Sequence, residues 1–431
     1  MSGTTYDLVI LGGGSGGYAA ALRGAELGMS VALIERDKLG GTCLHYGCIP
    51  TKALLHAAEV ADTTKESAKF GVRSVFEGID LPGVHSYREG VVARLYKGLQ
   101  GLVKSRDITY VEGNGRLVAA NAVEVDGQRY EAAKAMVLAT GSYARTLPGL
   151  DIGGRIITSD QALTMGFVPQ RAIVLGGGVI GVEFASIWRS FGAEVTIVEA
   201  LPSLVPNEDA ACAKALERAF RKRGITSKTG VRFAGATQSD TGVSVTLESG
   251  EVVEGDVLLV AVGRGPNGAG NGFEEVGVTV ERGFVPTDER LRTNVAGVYA
   301  VGDIVPGLQL AHRGFAQGIF VAEEVAGLAP HVIDEAGIPR VTYCEPEVAS
   351  VGLTEAQAKE KYGEIQTLTY DLAGNGKSQI LQTQGAIKLI KTGAEGTPGP
   401  VVGLHMVGAR VGELIGEAHL ALAGKPLHSH N

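Results

Sequence analysis

The chain opens on a run of apolar residues with no polar alternation. Residues 6–11, reading Tyr-Asp-Leu-Val-Ile-Leu, predict a strand buried on both faces. A glycine cluster at 12–17 follows, then small and apolar residues at helical spacing to about Leu27, then a second buried strand over 30–35. The same succession returns further along: a strand over 172–175, a glycine turn over 176–181, a helix to about Phe191 and a strand over 194–199. In both copies an acidic residue, Glu35 or Glu199, stands 23 positions after the first glycine of the turn. Strand, turn, helix and strand in that order make a βαβ unit, so the chain is predicted to be α/β with two such units on parallel sheets.

Between the units, residues 59–103 read as helices with a break near Leu81-Pro82-Gly83. A β-rich stretch follows at 108–125, and a strand over 135–141 ends in Ala139-Thr140-Gly141. After the second unit, 243–253 alternates like a hairpin, 257–262 is a buried strand, and 298–303 is a strand ending at the carboxylate of Asp303. From about residue 341 the pattern changes to strands, among them 386–391 and 401–406, with short helices and an exposed loop at 393–400. This third region carries no nucleotide motif.

Length and composition narrow the function. A chain of 431 residues fits about three domains, and 45% apolar residues suffice for their cores. A net charge of −8 argues against a general nucleic-acid footprint, which is basic. Glycine is abundant at 63 residues, and most of the excess falls in short clusters after apolar runs, which reads as nucleotide-binding turns rather than low complexity. The four cysteines Cys43, Cys48, Cys212 and Cys344 show no Cys-x-x-Cys spacing, so no metal site is expected. With no basic leader and no long apolar stretch, the expectation is a cytoplasmic, reducing environment without membrane insertion. There a close cysteine pair is more often catalytic than structural.

The glycines have separable tasks in dinucleotide binding. Gly12 and Gly176 permit the tight turn, Gly14 and Gly178 let the backbone approach a pyrophosphate, and Gly17 and Gly181 allow close helix–strand packing. Each following helix directs N–H groups and positive dipole at the phosphates. Glu35 and Glu199 are each placed to accept hydrogen bonds from a ribose 2′-hydroxyl. A carboxylate at Glu199, followed by uncharged Ala200 and Leu201, disfavours a 2′-phosphate, so the second unit should prefer NAD over NADP.

Cys43 and Cys48 lie in the run Gly40-Gly41-Thr42-Cys43-Leu44-His45-Tyr46-Gly47-Cys48-Ile49-Pro50-Thr51-Lys52. Two buried small hydrophobes would be the plain reading. The flanking glycines instead imply a shaped backbone, and Pro50 suits the first turn of a helix. Cys48 then falls at that helix's N-terminus, where the dipole favours thiolate and permits contact with a flavin. Cys43, expected in the loop, would face a dithiol or disulfide substrate. Lys52 lies on the face of Cys48; a solvated charge is its plain reading, but Glu183 after the second glycine turn needs a cation if buried, and pairing of the two is the functional expectation.

Taken together, these runs closely resemble the class I pyridine nucleotide-disulfide oxidoreductases. The similarity covers roughly 410 residues and includes the cysteine run, Ala139-Thr140-Gly141, residues 176–183, Val262-Gly263-Arg264-Gly265-Pro266-Asn267, Tyr299-Ala300-Val301-Gly302-Asp303 and Leu310-Ala311-His312. Within the family the chain looks most like the dihydrolipoamide dehydrogenase branch, on Glu199, the Leu-Ala-His triplet and the run 411–416. The resemblance implies two Rossmann-like dinucleotide-binding domains and a C-terminal α+β dimerisation domain. It divides the chain into residues 1–145 for FAD with the redox disulfide, 146–268 for NAD, 269–338 returning to the FAD domain, and 339–431 for the dimer interface. It implies that Gly12, Gly14, Gly17, Glu35, Thr42, Lys52, Gly115, Thr140, Gly141, Asp303, Ala311 and His312 serve FAD. Gly176, Gly178, Gly181, Glu199 and Gly263 would serve NAD. Cys43, Cys48, Lys52 and Glu183 would form the catalytic set, in a homodimer whose partners are lipoyl-bearing acyltransferase components of 2-oxoacid dehydrogenase complexes.

One departure stands out. Relatives carry His-Pro-Thr-x-x-Glu in the interface domain, the His being the acid–base for the partner subunit's thiols. No His-Pro dipeptide occurs in this sequence. Residues 417–427 resemble the family's last helix, which normally follows that motif, as though about thirty residues were absent near Gly416. His419, His428 and His430 are expected to be surface groups rather than substitutes.

Overall fold

A computed structural model describes residues 4–394 and 396–423. The chain divides into two units. The first contains the chain up to Pro50, Ser86–Ala144 and Arg264–Ile333, and the second contains Thr51–His85, Arg145–Gly263 and the chain from Asp334 onward.

The first unit is built on strands Thr109–Glu112, Val31–Glu35, Thr4–Leu11 and Gln128–Leu138, adjacent in that order and parallel, with Val298–Ala300 also parallel to the last. Antiparallel strands Ala122–Val125 and Arg116–Ala119 extend the sheet. The opening apolar run shows why this sheet is parallel and central. Leu8 and Ile10 enter one core with Ala20, Ala21 and Leu33, while Val9 and Leu11 enter the opposite core with Leu117, Val123 and Met136. Alternate residues serve opposite faces, and here both faces are dry. Helix Ser15–Glu26 covers one face and packs so closely on helix Ala311–Val325 that a Cβ on Gly318 would lie 2.1 Å from the Gly16 carbonyl oxygen.

The second unit repeats the theme with a five-stranded parallel sheet: Ile225–Thr229, Glu194–Glu199, Arg171–Leu175, Val257–Val260 and Ile156–Thr158. Val174 and Ile197 face one core, Ile173, Leu175 and Val198 the other. A three-stranded antiparallel sheet contains Val243–Leu247 and Val252–Gly255, the hairpin its alternation predicts. From Arg340 onward the chain forms a separate five-stranded antiparallel sheet with helices Glu355–Tyr362 and Ile415–Ala423.

Several expected boundaries move. Leu81-Pro82-Gly83 does not break a helix but begins one, Leu81–Ser105, because proline in a first turn forfeits no intrahelical hydrogen bond. The interruption is the non-helical stretch 71–80. Strand Gln128–Leu138 starts earlier than 135, and Ala139-Thr140-Gly141 lies in the turn beyond it. The strand expected to carry Asp303 ends at Ala300, and a short 3₁₀ turn, Gly302–Ile304, presents the carboxylate.

Candidate active site

The two glycine turns are near copies. A Cβ on Gly12 would lie 2.2 Å from the Ala139 carbonyl oxygen, and one on Gly176 would lie 2.3 Å from that of Ala261. Both residues have a left-handed φ, near +110°. A Cβ on Gly17 or Gly181 would fall 1.8 or 1.9 Å from the carbonyl oxygen of Gly12 or Gly176, so no side chain is possible there. Gly14 and Gly178 behave differently: a Cβ on either meets nothing within 4 Å. Each faces open space at the N-cap of a helix, Ser15–Glu26 or Val179–Phe191, and leaves its backbone accessible to a phosphate.

The carboxylates repeat as well. Glu35 accepts from the Gly13 N–H at 2.6 Å and the Asp37 N–H at 2.9 Å. Glu199 accepts from the Gly177 N–H at 2.6 Å and the Leu201 N–H at 2.7 Å. Backbone donors thus aim both side chains at their turns, and an ionised carboxylate retains lone pairs for ribose hydroxyls. The residues present fit a dinucleotide in each unit.

The cysteine run is seated directly on the first turn. The Gly40 N–H donates to the Gly13 carbonyl at 2.8 Å, and a Cβ on Gly41 would lie 2.7 Å from the Gly14 Cα. Cys43 is not in an open loop, as expected, but in a single helical turn, Gly41–His45; the left-handed φ of Gly40 and Gly41 starts that turn against the dinucleotide cradle. Cys48 is the first residue of helix Cys48–Glu66, and both cysteines are partly exposed. Burial, with added repulsion from charge at Cys43 and Cys48, pushes Tyr18 up to about 12. Tyr18 lies on the helix that the first glycine turn opens, so both sulfurs are within electrostatic reach of it.

Lys52, on the helix that starts at Cys48, places Nζ 2.9 Å from both oxygens of Glu183. Glu183 is only 3% exposed and sits in the helix Val179–Phe191 that the second glycine turn opens. Its Oε1 also accepts from the Tyr343 N–H at 2.9 Å, and the Lys52 ammonium lies 4.9 Å from the centroid of the Tyr343 ring.

Most of the remaining candidates lie in the first unit, in loops beside its strands or at the start of a helix. Asn267 clamps the Ala-Thr-Gly turn: its carbonyl accepts from Thr140 Oγ1 at 2.8 Å, and its N–H donates to the Gly141 carbonyl at 2.9 Å. Asp303 accepts from Ser142 Oγ at 2.5 Å, and Arg264 donates to Ser142 Oγ at 2.7 Å and approaches Thr42 Oγ1 at 3.5 Å. Ala311 and His312 form the first turn of their helix. Gly115 is a glycine for packing, since a Cβ there would press within 3.0 Å of Leu11, Ile34 and Val123. Gly263, φ +102°, lies in the second unit with open space around it. His419 is partly buried, and its Nδ1 lies 2.8 Å from the Gly337 carbonyl oxygen. His428 and His430 lie outside the described residues.

Sequence reasoning missed Ser142, Tyr343 and Tyr18. Arg264 and Asn267 lay within a recognised run without a role. Nothing in the sequence marks Tyr343, whose contacts arise from distant segments.

Comparison with known proteins shows the family. Residues 6–318 match the family described as pyridine nucleotide-disulphide oxidoreductase, and residues 338–426 match that family's dimerisation domain. A dihydrolipoyl dehydrogenase of Bacillus subtilis is 37% identical over 454 aligned positions, covering 99% of this chain and 95% of that protein. The aligned span exceeds the chain's 431 residues, so the relative carries residues that have no counterpart here. A leghemoglobin reductase of Glycine max is 38% identical over 96% of this chain and 82% of its own. The crystal structure of LpdA from Mycobacterium tuberculosis superposes with a TM-score of 0.89 at 28% identity, covering 98% of this chain and 93% of that one. No helix among the described residues is long and apolar enough to cross a membrane. A duplicated dinucleotide turn, a cysteine pair packed on the first copy and matches along nearly the full length place this chain in the pyridine nucleotide-disulphide oxidoreductase family.

Proposed function

We propose that the protein is an FAD-dependent dihydrolipoyl dehydrogenase that oxidises protein-bound dihydrolipoyl groups with NAD⁺ through a Cys43–Cys48 redox disulfide. The observation that carries this reading is the seating of the cysteine turn on the first dinucleotide cradle, through the Gly40–Gly13 hydrogen bond and the Gly41–Gly14 contact. Bound FAD and NAD⁺ supply the carriers for the electron pair that the dithiol gives up. Gly12, Gly14, Gly17, Glu35, Thr42, Lys52, Gly115, Thr140, Gly141, Asp303, Ala311 and His312 hold FAD in this reading; Gly176, Gly178, Gly181, Glu199 and Gly263 hold NAD.

The protein's own chemistry is thiol–disulfide exchange. A substrate thiolate attacks the Cys43 sulfur, the Cys43–Cys48 bond breaks, and Cys48 leaves as a thiolate at a helix N-terminus, where the dipole favours it. The second substrate thiolate attacks the substrate sulfur of the mixed disulfide. It closes the substrate's own disulfide and releases Cys43 as a thiolate. One disulfide bond breaks and one forms, two thiolates are consumed and two released, and the substrate dithiol gives two electrons to the cysteine pair. Lys52, held by Glu183, contributes positive charge one helical turn beyond Cys48.

The four-segment division at 145/146, 268/269 and 338/339 belongs to the same reading. Three of the five places where the chain passes between the two units, at Ala144, Gly263 and Ile333, support it; the other two, at Pro50 and His85, fall inside the first segment. Residues 339–431 form the homodimer interface; Leu368, Ile380 and Leu420 are 68–70% exposed there. Acyltransferase components are the partners, in the cytoplasm.

Without the His-Pro motif, substrate thiols lack a positioned base, which is worth roughly 10²–10⁴-fold. Steady-state assays should therefore give slow dihydrolipoamide oxidation but persistent NADH oxidation with artificial acceptors. Near-normal dihydrolipoamide turnover would refute the assignment of proton transfer to that motif. A reductase with another terminal acceptor is the second reading, favoured by the leghemoglobin reductase among the relatives. Profiling disulfide, quinone and haem-protein acceptors against dihydrolipoamide separates the two.

A further inference from the structure

The guanidinium of Arg264 meets Ser142 twice, donating from Nε to Oγ at 2.7 Å and from Nη2 to the backbone carbonyl at 2.9 Å. Ser142 Oγ in turn lies 2.5 Å from Asp303 Oδ2. The direction of this chain is fixed by chemistry. An arginine only donates, so the serine oxygen accepts from it and directs its single proton at the carboxylate. Asp303 therefore receives a short hydroxyl hydrogen bond on one defined oxygen and has the other for a ligand. Three segments far apart in sequence contribute. Arg264 and Ser142 come from opposite strands of the two-stranded ribbon Arg264–Pro266 and Ser142–Ala144, where Arg264 pairs with Ala144 and Ser142 with Pro266, and Asp303 comes from the turn Gly302–Ile304. Ser142 is 7% exposed, so water competes poorly for these bonds. The same guanidinium reaches Thr42, the residue before Cys43, at 3.5 Å.

We propose that Arg264 is a positioning residue: through the Ser142 hydroxyl it orients the Asp303 carboxylate toward the flavin's hydroxyl groups. The inference rests on the reading of the first unit as the FAD site. It predicts that the hydroxyl, not the shape, of residue 142 matters. Ser142→Thr and Ser142→Val add side chains of equal outline and differ only in that group.

The test measures FAD dissociation constants, by fluorescence of released flavin, for the purified full-length holoprotein and the variants Ser142→Thr, Ser142→Val, Arg264→Met and Arg264→Met/Ser142→Val. Ser142→Thr should bind FAD within about 3-fold of wild type, since it keeps the hydroxyl, whereas Ser142→Val and Arg264→Met should each lose roughly 10- to 100-fold. The double variant should lose no more than the worse single one, because both remove the same relay. Melting curves of the flavin-free proteins check that all variants fold. Equal affinity of Ser142→Thr and Ser142→Val, or losses that add in the double variant, would overturn the inference alone. A wild-type protein that takes up no FAD would overturn the flavin reading together with it.

Discussion

Replacing Lys52 by methionine removes the cation from a carboxylate that cannot easily turn to water. Glu183 is 3% exposed, and both its oxygens accept from the Lys52 ammonium at 2.9 Å. Breaking a buried ion pair by deleting one partner costs about 3–5 kcal/mol, because the remaining charge stays desolvated. Lys52 is itself 33% exposed, so water relieves part of that penalty and the lower end, about 3 kcal/mol, is expected for Lys52→Met. Glu183→Gln should cost less, since the ammonium can turn to solvent and the amide carbonyl still accepts from the Tyr343 N–H. The double variant Lys52→Met/Glu183→Gln removes both charges and should recover about 2 kcal/mol relative to Lys52→Met alone. The measurement is urea unfolding of all four proteins in equal excess of FAD, followed by far-UV circular dichroism. A Lys52→Met protein within about 0.5 kcal/mol of wild type, or single costs that add in the double variant, would refute the argument that this pair neutralises a buried charge.

The two inner glycines of the first turn should fail differently. Gly17→Ala places a Cβ 1.8 Å from the Gly12 carbonyl and should lower the melting temperature, whereas Gly14→Ala, with nothing within 4 Å, should melt normally but lose flavin on gel filtration. Cys43→Ser and Cys48→Ser should each abolish dihydrolipoamide oxidation while NADH oxidation by an artificial acceptor continues, as measured by NADH absorbance. Glu199→Ser should raise NADPH use relative to NADH, read as the ratio of kcat/KM values, because it removes a carboxylate that repels a 2′-phosphate. For Lys388, burial pushes the pKa down most, but hydrogen bonds to Asp209 at 2.8 Å and Glu355 at 2.6 Å outweigh it and the net shift is upward. An upward shift on a lysine gives stability that is present below its ordinary value near 10.4 and is lost as pH rises through the higher folded value. Urea midpoints of wild type should therefore fall above about pH 10.4 more steeply than those of Lys388→Met.

The sequence by itself made legible both βαβ units with their glycine turns and the close cysteine pair beside the first of them. Each rests on constraints that act within about 25 residues: an apolar strand, glycines that a turn demands and an acidic residue at fixed distance. Local chemistry of that kind is written in consecutive letters, which is why Gly12 and Gly176, or Glu35 and Glu199, are legible without coordinates. Lys52 and Glu183 were legible for a different reason: a carboxylate packed in just after a glycine turn needs a cation wherever one is found. The tertiary structure alone decided the rest. Ser142, Arg264 and Asp303 meet because the two-stranded ribbon of Ser142–Ala144 and Arg264–Pro266 lies beside the turn Gly302–Ile304, and Tyr343 reaches Lys52 and Glu183 from a segment far along the chain. Even the turn that holds Cys43 was unreadable locally, since its start is set by packing Gly41 against Gly14. Contacts between distant segments depend on which surfaces the folded sheet brings together, and no spacing within the sequence encodes that.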